Sequence, residues 1–324
     1  MLYAQMMGGL GNQMFIYAFA RAFQLRHGGE VTFVVSPGAN THGDALAFRE
    51  MNVSEDKMHY LQPEEGIWPQ KWVDQDMKKS CSPFGINLIT RAFRKGAVLW
   101  QKVVGNHPDK LATYEKLCQP FLNLMGVACM DTVAPIRVLK PFYCKDFYSW
   151  GYFQWEQYFT PYQEIIRSEL RLLTPPDEQN ARIIQEMTDS NAVCLHIRRG
   201  DYFKPGFEQH QVCTIDYYTR AIEMMRQKQT DAHFFVFSDD ISWVRENLPM
   251  GDAVRTYVDH HNSAVEDLRL MYHCKHFILS NSSFSWWAQY LAENEKKVVI
   301  APEHWYSDGR KTGLYQADWI CLQS

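Results

Sequence analysis

AVCLHIRRGD, residues 192–201, decides how this chain is built. The first six residues are a short apolar run of strand length, the pattern of a strand buried on both faces of a parallel sheet. Arg198 and Arg199 stand at its carboxyl end, followed by Gly200 and Asp201. Open parallel sheets bind their ligands beyond the carboxyl ends of the strands. Two adjacent arginines there need a counter-charge, and a pyrophosphate suits the planar fork of a guanidinium. The bland reading is two surface arginines paired with carboxylates, with Arg-Gly-Asp an ordinary turn that Gly200 eases.

The alternation continues outward from this strand. Further strands are expected at 233–238 (HFFVFS), 254–258, 276–280 (HFILS) and 297–301 (KVVIA), with helices at 214–228, 264–273 and 284–294. Ser263 and Glu266 form a capping box for the second of these helices. Strands and helices alternating at this length imply a parallel sheet with helices on both faces. Upstream, Thr174-Pro175-Pro176-Asp177 is a break, and Asp177 can cap a helix over 178–188. The domain boundary is set there, giving an N-terminal α/β domain at 1–176 and a C-terminal one at 177–324.

The N-terminal half opens as α/β too: a strand at 2–7, a turn with Gly8, Gly9 and Gly11, a helix over 13–27 with Asn12 as its N-cap, and a strand at 31–35. From 37 to 140 no period stands out, and Lys78-Lys79 and Arg91 to Lys95 suggest loops and exposed helices. Residues 147–159, FYSWGYFQWEQYF, are densely aromatic and read mostly as core, with a helix following at 161–172.

Bulk properties narrow the class. The chain has 324 residues, 46% hydrophobic and 22% charged, with 33 basic against 37 acidic residues. A formal charge of −4 gives no reason for the whole chain to seek nucleic acid, so any anion site is local. Cys81, Cys118, Cys129, Cys144, Cys194, Cys213, Cys274 and Cys321 form no C-x-x-C pair and read as buried, reduced thiols rather than a disulfide framework or zinc site. No apolar run approaches the about 18 residues of a membrane span, and the first residues have no signal-peptide pattern. The expected location is the cytoplasm, compatible with peripheral membrane association.

Three further blocks could carry chemistry. Ser280-Asn281-Ser282-Ser283 follows a strand and opens a helix, where hydroxyls, backbone N–H groups and the helix dipole favour an anion. Plain N-capping by Ser282 or Ser283 is compatible with that role, while Trp286 and Trp287 read as core. Ser238-Asp239-Asp240 offers a metal carboxylate pair, acceptors for a nucleotide base, or a helix N-cap. Gly8-Gly9-Leu10-Gly11-Asn12-Gln13 is neither a dinucleotide fingerprint, with Met14 at the third glycine position and Ser36 where an acidic ribose ligand might stand, nor a Walker A loop. It says only that backbone comes close to something. His260, His261 and His304 read as ordinary histidines.

Taken together, GGLGNQMFIYAFA at the start, GYFQWEQYF at 151–159, HIRRGDYF at 196–203, FVFSDD at 235–240, SNSSFSWWAQYL at 280–291 and APEHWY at 301–306 resemble the bacterial α-1,2-fucosyltransferase family. The order and spacing agree over nearly the whole chain outside 37–140. The resemblance implies a GT-B architecture, two Rossmann-like α/β domains whose parallel sheets face across a cleft, with GDP-fucose in the C-terminal domain. It implies inverting transfer of L-fucose from GDP-β-L-fucose to the 2-hydroxyl of a terminal galactose, with no metal and no other cofactor. An O-antigen or capsule pathway goes with the family.

The His-x-Arg-Arg signature recurs in more distant α-1,6- and protein O-fucosyltransferases. By that likeness Arg198 and Arg199 would hold the diphosphate, Arg198 with a catalytic part, while His196 and one of Asp239 or Asp240 would contact guanine. Asn281, Ser282 and Ser283 would take the phosphates from the other side, and Gly9, Gly11 and Asn12 would approach the donor. Asp201 is the first candidate for the acceptor's base and Glu208 the second; an ion pair with an arginine is the competing role for Asp201. Trp155 and Tyr158 are candidate acceptor contacts. Rival readings are another GDP-sugar or acceptor hydroxyl, a non-catalytic nucleotide- or carbohydrate-binding protein, and a magnesium enzyme using Asp239 and Asp240.

Overall fold

A computed structural model describes residues 1–35, 46–61, 85–105, 107–260 and 262–324. The readings at Ser36, Lys78, Lys79, Cys81 and His261 lie outside the described residues. Strand β6 (Asn191–Ile197) runs through the middle of a sheet, between β7 (Ala232–Ser238) and β9 (His276–Ile278). With β8 (Arg255–Tyr257), β10 (Val299–Pro302) and β11 (Ile320–Leu322), the order is β11-β10-β9-β6-β7-β8. Every pairing is parallel. Counted from β6, the order is that of a doubly wound dinucleotide fold, which winds one way from its first strand and then the other.

The helices between these strands begin where short polar side chains hold free backbone N–H groups. Asp177 accepts from Asn180 N at 2.8 Å to start α5 (Glu178–Asp189), and Thr214 accepts from Tyr217 N at 3.1 Å to start α6 (Ile215–Lys228). Ser263 accepts from Glu266 N for α8 (Ala264–Tyr272), and Ser282 from Phe284 N for α9 (Ser283–Leu291). Each such cap contributes about 1 kcal/mol. Glu266 directs its own carboxylate to Asn180 and Arg269. Tyr217, Ala221, Ile222 and Met225 of α6, with Val244 of α7 (Ile241–Asn247), cover the face of the sheet presented by Val193, Leu195 and Ile197. Trp286 and Trp287 are wholly buried, as core residues should be.

A second parallel sheet forms from β1 (Leu2–Met6), β2 (Val31–Val35), β3 (Met58–Leu61), β4 (Val127–Cys129) and β5 (Phe147–Trp150), in the order β3-β2-β1-β5-β4. Helix α1 (Leu10–His27) is buried on nearly all sides, and α2 (Ile86–Val104) and α3 (Pro108–Leu124) pack on Tyr3, Val34, Val127 and Tyr148. Its first residue is Leu10, capped from Gly9, so Asn12 sits inside the first turn and is not the N-cap. Chain 161–172 holds a shorter helix, α4 (Gln163–Glu169), whose Glu169 accepts from Tyr17 at 2.8 Å and pairs with Arg21 at 2.8 Å.

The chain folds as two units, residues 1–48, 53–169 and 311–314 in one, and 49–52, 170–310 and 315–324 in the other. The long segment of the second unit starts at Leu170, directly after Glu169, which ties α4 to α1. The cysteines depart from expectation: Cys144 is in a disulfide, Cys321 is exposed, and only Cys129, Cys194 and Cys274 among the free thiols are buried. No helix among the described residues is long and apolar enough to cross a membrane.

Candidate functional site

In the six-stranded sheet the winding reverses between β6 and β9, and doubly wound folds bind ligands outside the carboxyl ends of the strands at that point. Three loops leave the sheet there. Arg198 to Asp201 follow β6, Asp239 and Asp240 follow β7, and Leu279 to Ser282 follow β9 into α9. His196, Arg198, Arg199, Asp201, Asp239, Asp240, Asn281, Ser282 and Ser283 all belong to this one unit.

Both arginines are paired with carboxylates, as the bland reading had it. Arg198 lies 2.8 Å from Asp201 through Nη2 and 3.1 Å from Asp239 through Nη1, and its Nε also donates to Asp201. Nη1 and Nη2 each carry two N–H groups, so each keeps a second donor beyond these contacts. Arg199 pairs with Asp240 at 3.2 Å, and its guanidinium lies over the rings of Trp243 at 3.3 Å and Phe203 at 4.4 Å. Ring stacking plus an ion pair leaves Arg199 little freedom to turn. Asp239 also accepts from Arg199 N at 2.9 Å, and Asp240 caps α7 by accepting from Trp243 N. The capping role weighed for Ser238-Asp239-Asp240 therefore belongs to Asp240, while Asp239 clamps the β6 loop.

Gly200 serves a different purpose from the one expected. A Cβ there would lie 2.4 Å from Asp239 Oδ2, so glycine is needed for the close approach of that carboxylate.

His196 alternates to the other side of β6 from Ile197 and is buried, with Nδ1 2.8 Å from Ser280 Oγ. Burial, and secondarily the Arg198 charge, lowers its pKa to about 3, so the ring is neutral at physiological pH. One ring nitrogen is thus committed to Ser280. Asn281 is committed more fully: its Nδ2 donates to the backbone oxygens of His210 at 2.9 Å and Trp305 at 3.0 Å. Its side chain is a structural brace for the loops around the site, and only its backbone neighbourhood stays available for an anion. Ser282 Oγ accepts from Phe284 N at 3.3 Å, and Ser283 begins α9.

The loop after Arg199 makes two single 3-10 turns, residues 200–203 and 208–210. Tyr202 donates to Asn281 O at 2.9 Å, and the His210 ring packs against Tyr202, Phe207 and Tyr306. Glu208 accepts from Gly206 N at 3.1 Å, which holds its pKa below the usual carboxylate value at a fully exposed position. Sequence reasoning gave no role to Trp243, Phe203, Tyr202 or His210. Tyr202 and Phe203 lie inside a quoted motif, but no spacing rule marks Trp243 as a partner of Arg199.

Gly9, Gly11 and Asn12 belong to the other unit, at the carboxyl end of β1. Gly8 there has φ +77°, and a Cβ on it would lie 2.6 Å from Asn12 Nδ2, so the glycine turn is required locally. Asn12 accepts from Gln154 Nε2 at 2.7 Å. Trp155 is half-buried under Gly313, and Tyr158 gives its hydroxyl to Ile136 O while packing on Trp155. Tyr158 is thereby a packing residue with a used hydroxyl. His260 bonds Asn180 at 2.7 Å, an ordinary structural contact.

Two doubly wound, all-parallel α/β units, one with a basic, hydroxyl-rich switch point, define a GT-B type of architecture. The chain belongs to glycosyl transferase family 11, whose sequence pattern matches residues 135–323. It is 34% identical over 164 residues to the α-1,2-colitosyltransferase of Escherichia coli, covering 48% of this chain and 55% of that one. To the galactoside 2-α-L-fucosyltransferase of Caenorhabditis elegans it is 31% identical over 181 residues, 52% of this chain and 49% of that one. The chain spans about half the length of the curated relatives it matches. Among solved structures it resembles fucosyltransferase NodZ from Bradyrhizobium, with a TM-score of 0.51 and 14% identity over 90% of this chain and 92% of that one. At that identity the likeness speaks for the fold alone.

Proposed function

We propose that the chain is an inverting, metal-independent galactoside α-1,2-fucosyltransferase, moving L-fucose from GDP-β-L-fucose to the 2-hydroxyl of a terminal galactose. The observation that carries this is the Arg198–Arg199 pair beside the N-terminus of α9, at the switch point of a family 11 chain. The named relatives add the linkage, since both are called 2-transferases. A leaving diphosphate gains negative charge as the sugar becomes oxocarbenium-like. Preorganised guanidiniums and a helix terminus stabilise such charge as a metal would. Asp201 and Asp239 hold Arg198 in place beforehand, and the second N–H groups of Nη1 and Nη2 then serve the phosphate oxygens. Two fixed guanidiniums beside Asp239 and Asp240 oppose a divalent cation at those carboxylates.

In this reading His196 and Asp239 or Asp240 lie toward guanine, and Ser282 and Ser283 meet the phosphates with α9's backbone. Asp201 remains the candidate base for the acceptor hydroxyl, although it also serves as the ion-pair partner of Arg198. The 1–176 portion supplies the acceptor side, with Trp155 the aromatic to test. The colitosyltransferase relative favours a second reading, the same transfer with another GDP-sugar.

The test is turnover with lactose in EDTA, with GDP-fucose, GDP-colitose and GDP-mannose run in parallel and the product linkage assigned. Fucose on the galactose 2-hydroxyl is the expected result. Colitose transferred in preference would replace the donor. Activity abolished by EDTA and restored by magnesium would remove the metal-free mechanism, and GDP binding without any turnover would leave a binding protein.

A further inference from the structure

In the first unit, α2 and α3 form an antiparallel pair, fastened by Tyr114 Oη to Phe93 O at 2.9 Å and Trp100 Nε1 to Lys110 O at 2.9 Å. Each helix buries one stripe: Ile86, Ile89, Phe93 and Ala97 from α2, and Ala112, Gln119 and Leu122 from α3. The opposite stripes are unusual. On α2, Leu88, Val98, Leu99 and Val103 are exposed, Leu99 by 64% and Val103 by 78%. They share a helical face with Arg91, Lys95 and Lys102, at three- and four-residue spacing. The outer stripe of α3 carries Leu117, Phe121 and Leu124, with Lys110 two turns before Leu117 and Lys116 beside it. Phe142, 99% exposed, adjoins this stripe, since its neighbour Tyr143 donates to Leu124 O at 3.2 Å.

The charge on these faces is predominantly basic. Residues 86–104 contain no Asp or Glu, and of the two acidic residues of α3 Glu115 is buried while Asp109, in the first turn, accepts from Lys311 N at 3.3 Å. Arg94 stands apart from the face, since it pairs with Asp131 and lies over Trp150. Leucines, a phenylalanine and lysines interleaved on an amphipathic surface suit the boundary between acyl chains and anionic headgroups. Lysine and arginine stems let the charges reach the phosphates while the apolar tips enter. A second copy of this chain is a poor occupant, because a two-fold contact through these faces would set basic residues against basic residues. The chain as a whole is acidic, so this local reversal of sign is a feature of the face and not of the composition.

We propose that the outer face of α2 and α3, with Phe142, docks on an anionic lipid bilayer. This reading is independent of the transfer reaction proposed above. The test is co-sedimentation of the full chain with vesicles of phosphatidylcholine alone and with about one-third phosphatidylglycerol, at low and high salt. Anionic vesicles should bind at least about tenfold more protein, with binding reduced at high salt as screening requires. The double variant Leu99→Glu/Phe121→Glu should lose binding about tenfold while keeping the parent's thermal midpoint and circular dichroism. Lys95→Glu/Lys102→Glu, which leaves the apolar tips in place, should lose the preference for the anionic vesicles. Equal binding to both vesicle types, no binding to either, or undiminished binding of the folded variants would overturn the proposal. So would a dimer in sedimentation velocity that Leu99→Glu/Phe121→Glu dissociates, since the face would then belong to a second copy.

Discussion

At Arg198 the guanidinium meets two carboxylates, at 2.8 and 3.1 Å, from opposite ends of its fork. Such a group is held in place before any ligand arrives, which is how a charge-stabilising residue avoids reorganisation during reaction. Arg198→Ala should lower kcat/KM by about a hundredfold to a thousandfold, roughly 3–4 kcal/mol of transition-state stabilisation, while Lys204→Ala changes it little. Steady-state kinetics with the donor varied checks this, and equal effects would count against the diphosphate role. Gly200 acts one step removed. In Gly200→Ala the new methyl would strike Asp239 Oδ2, 2.4 Å from an ideal Cβ, and push that carboxylate off Arg198 and Arg199 N. Donor affinity measured by calorimetry should fall about tenfold, with unfolding stability lowered by about 1 kcal/mol. The residue types at this site were legible in the sequence, but their partners were not. Asp239 is forty residues from Arg199, and only the pairing of β6 with β7 brings them together.

Among the elements, β3, β4, α2 and α3 fall in the stretch where no period stands out, although the basic run Arg91 to Lys95 points to an exposed helix and lies on α2. On α3 the buried stripe includes Glu115, Gln119 and Asn123 while Leu117, Phe121 and Leu124 are exposed, so the usual contrast between an apolar inner stripe and a polar outer one is blurred. Helix α3 also carries a buried carboxyl. Glu115 accepts from Thr132 N at 3.1 Å, and also from Asp131 N and the Thr132 hydroxyl. Burial outweighs these bonds and raises its pKa to about 7 from 4.5. The folded carboxyl therefore keeps its proton between about 4.5 and 7, where the unfolded chain has lost it. Its contribution is full below about 4.5 and is lost as pH rises through about 7, a change on the order of 3 kcal/mol. Urea unfolding of the parent should show that loss between about pH 4.5 and 7, and Glu115→Gln should flatten it. A Gln variant with the parent's slope would assign the titration to another group.

For the whole molecule, the division into units does not follow chain order. Residues 311–314 belong with the first unit although their neighbours on both sides belong with the second. Gly313 pairs with Trp155 in a parallel bridge, and a Cβ there would come within 2.8 Å of the Trp155 ring. Gly313→Ala should therefore lower stability by about 1–3 kcal/mol, read as a shifted denaturant midpoint, whereas Gly309→Ala, with open space at its Cβ, should cost less and act only through its φ of +68°. By itself the sequence determined the alternation of strands and helices in the second half, the parallel character of that sheet, and the carboxyl-end position of Arg198 and Arg199. Those features are written in local periodicity and chain order, the scale on which apolar spacing and capping residues act. Only the tertiary structure decided that Asp239 clamps and Asp240 caps, that Asn281 braces loops, and that residues 311–314 return to the first unit. Each of these depends on residues tens of positions apart being brought within hydrogen-bond or van der Waals reach, and no local pattern records that distance.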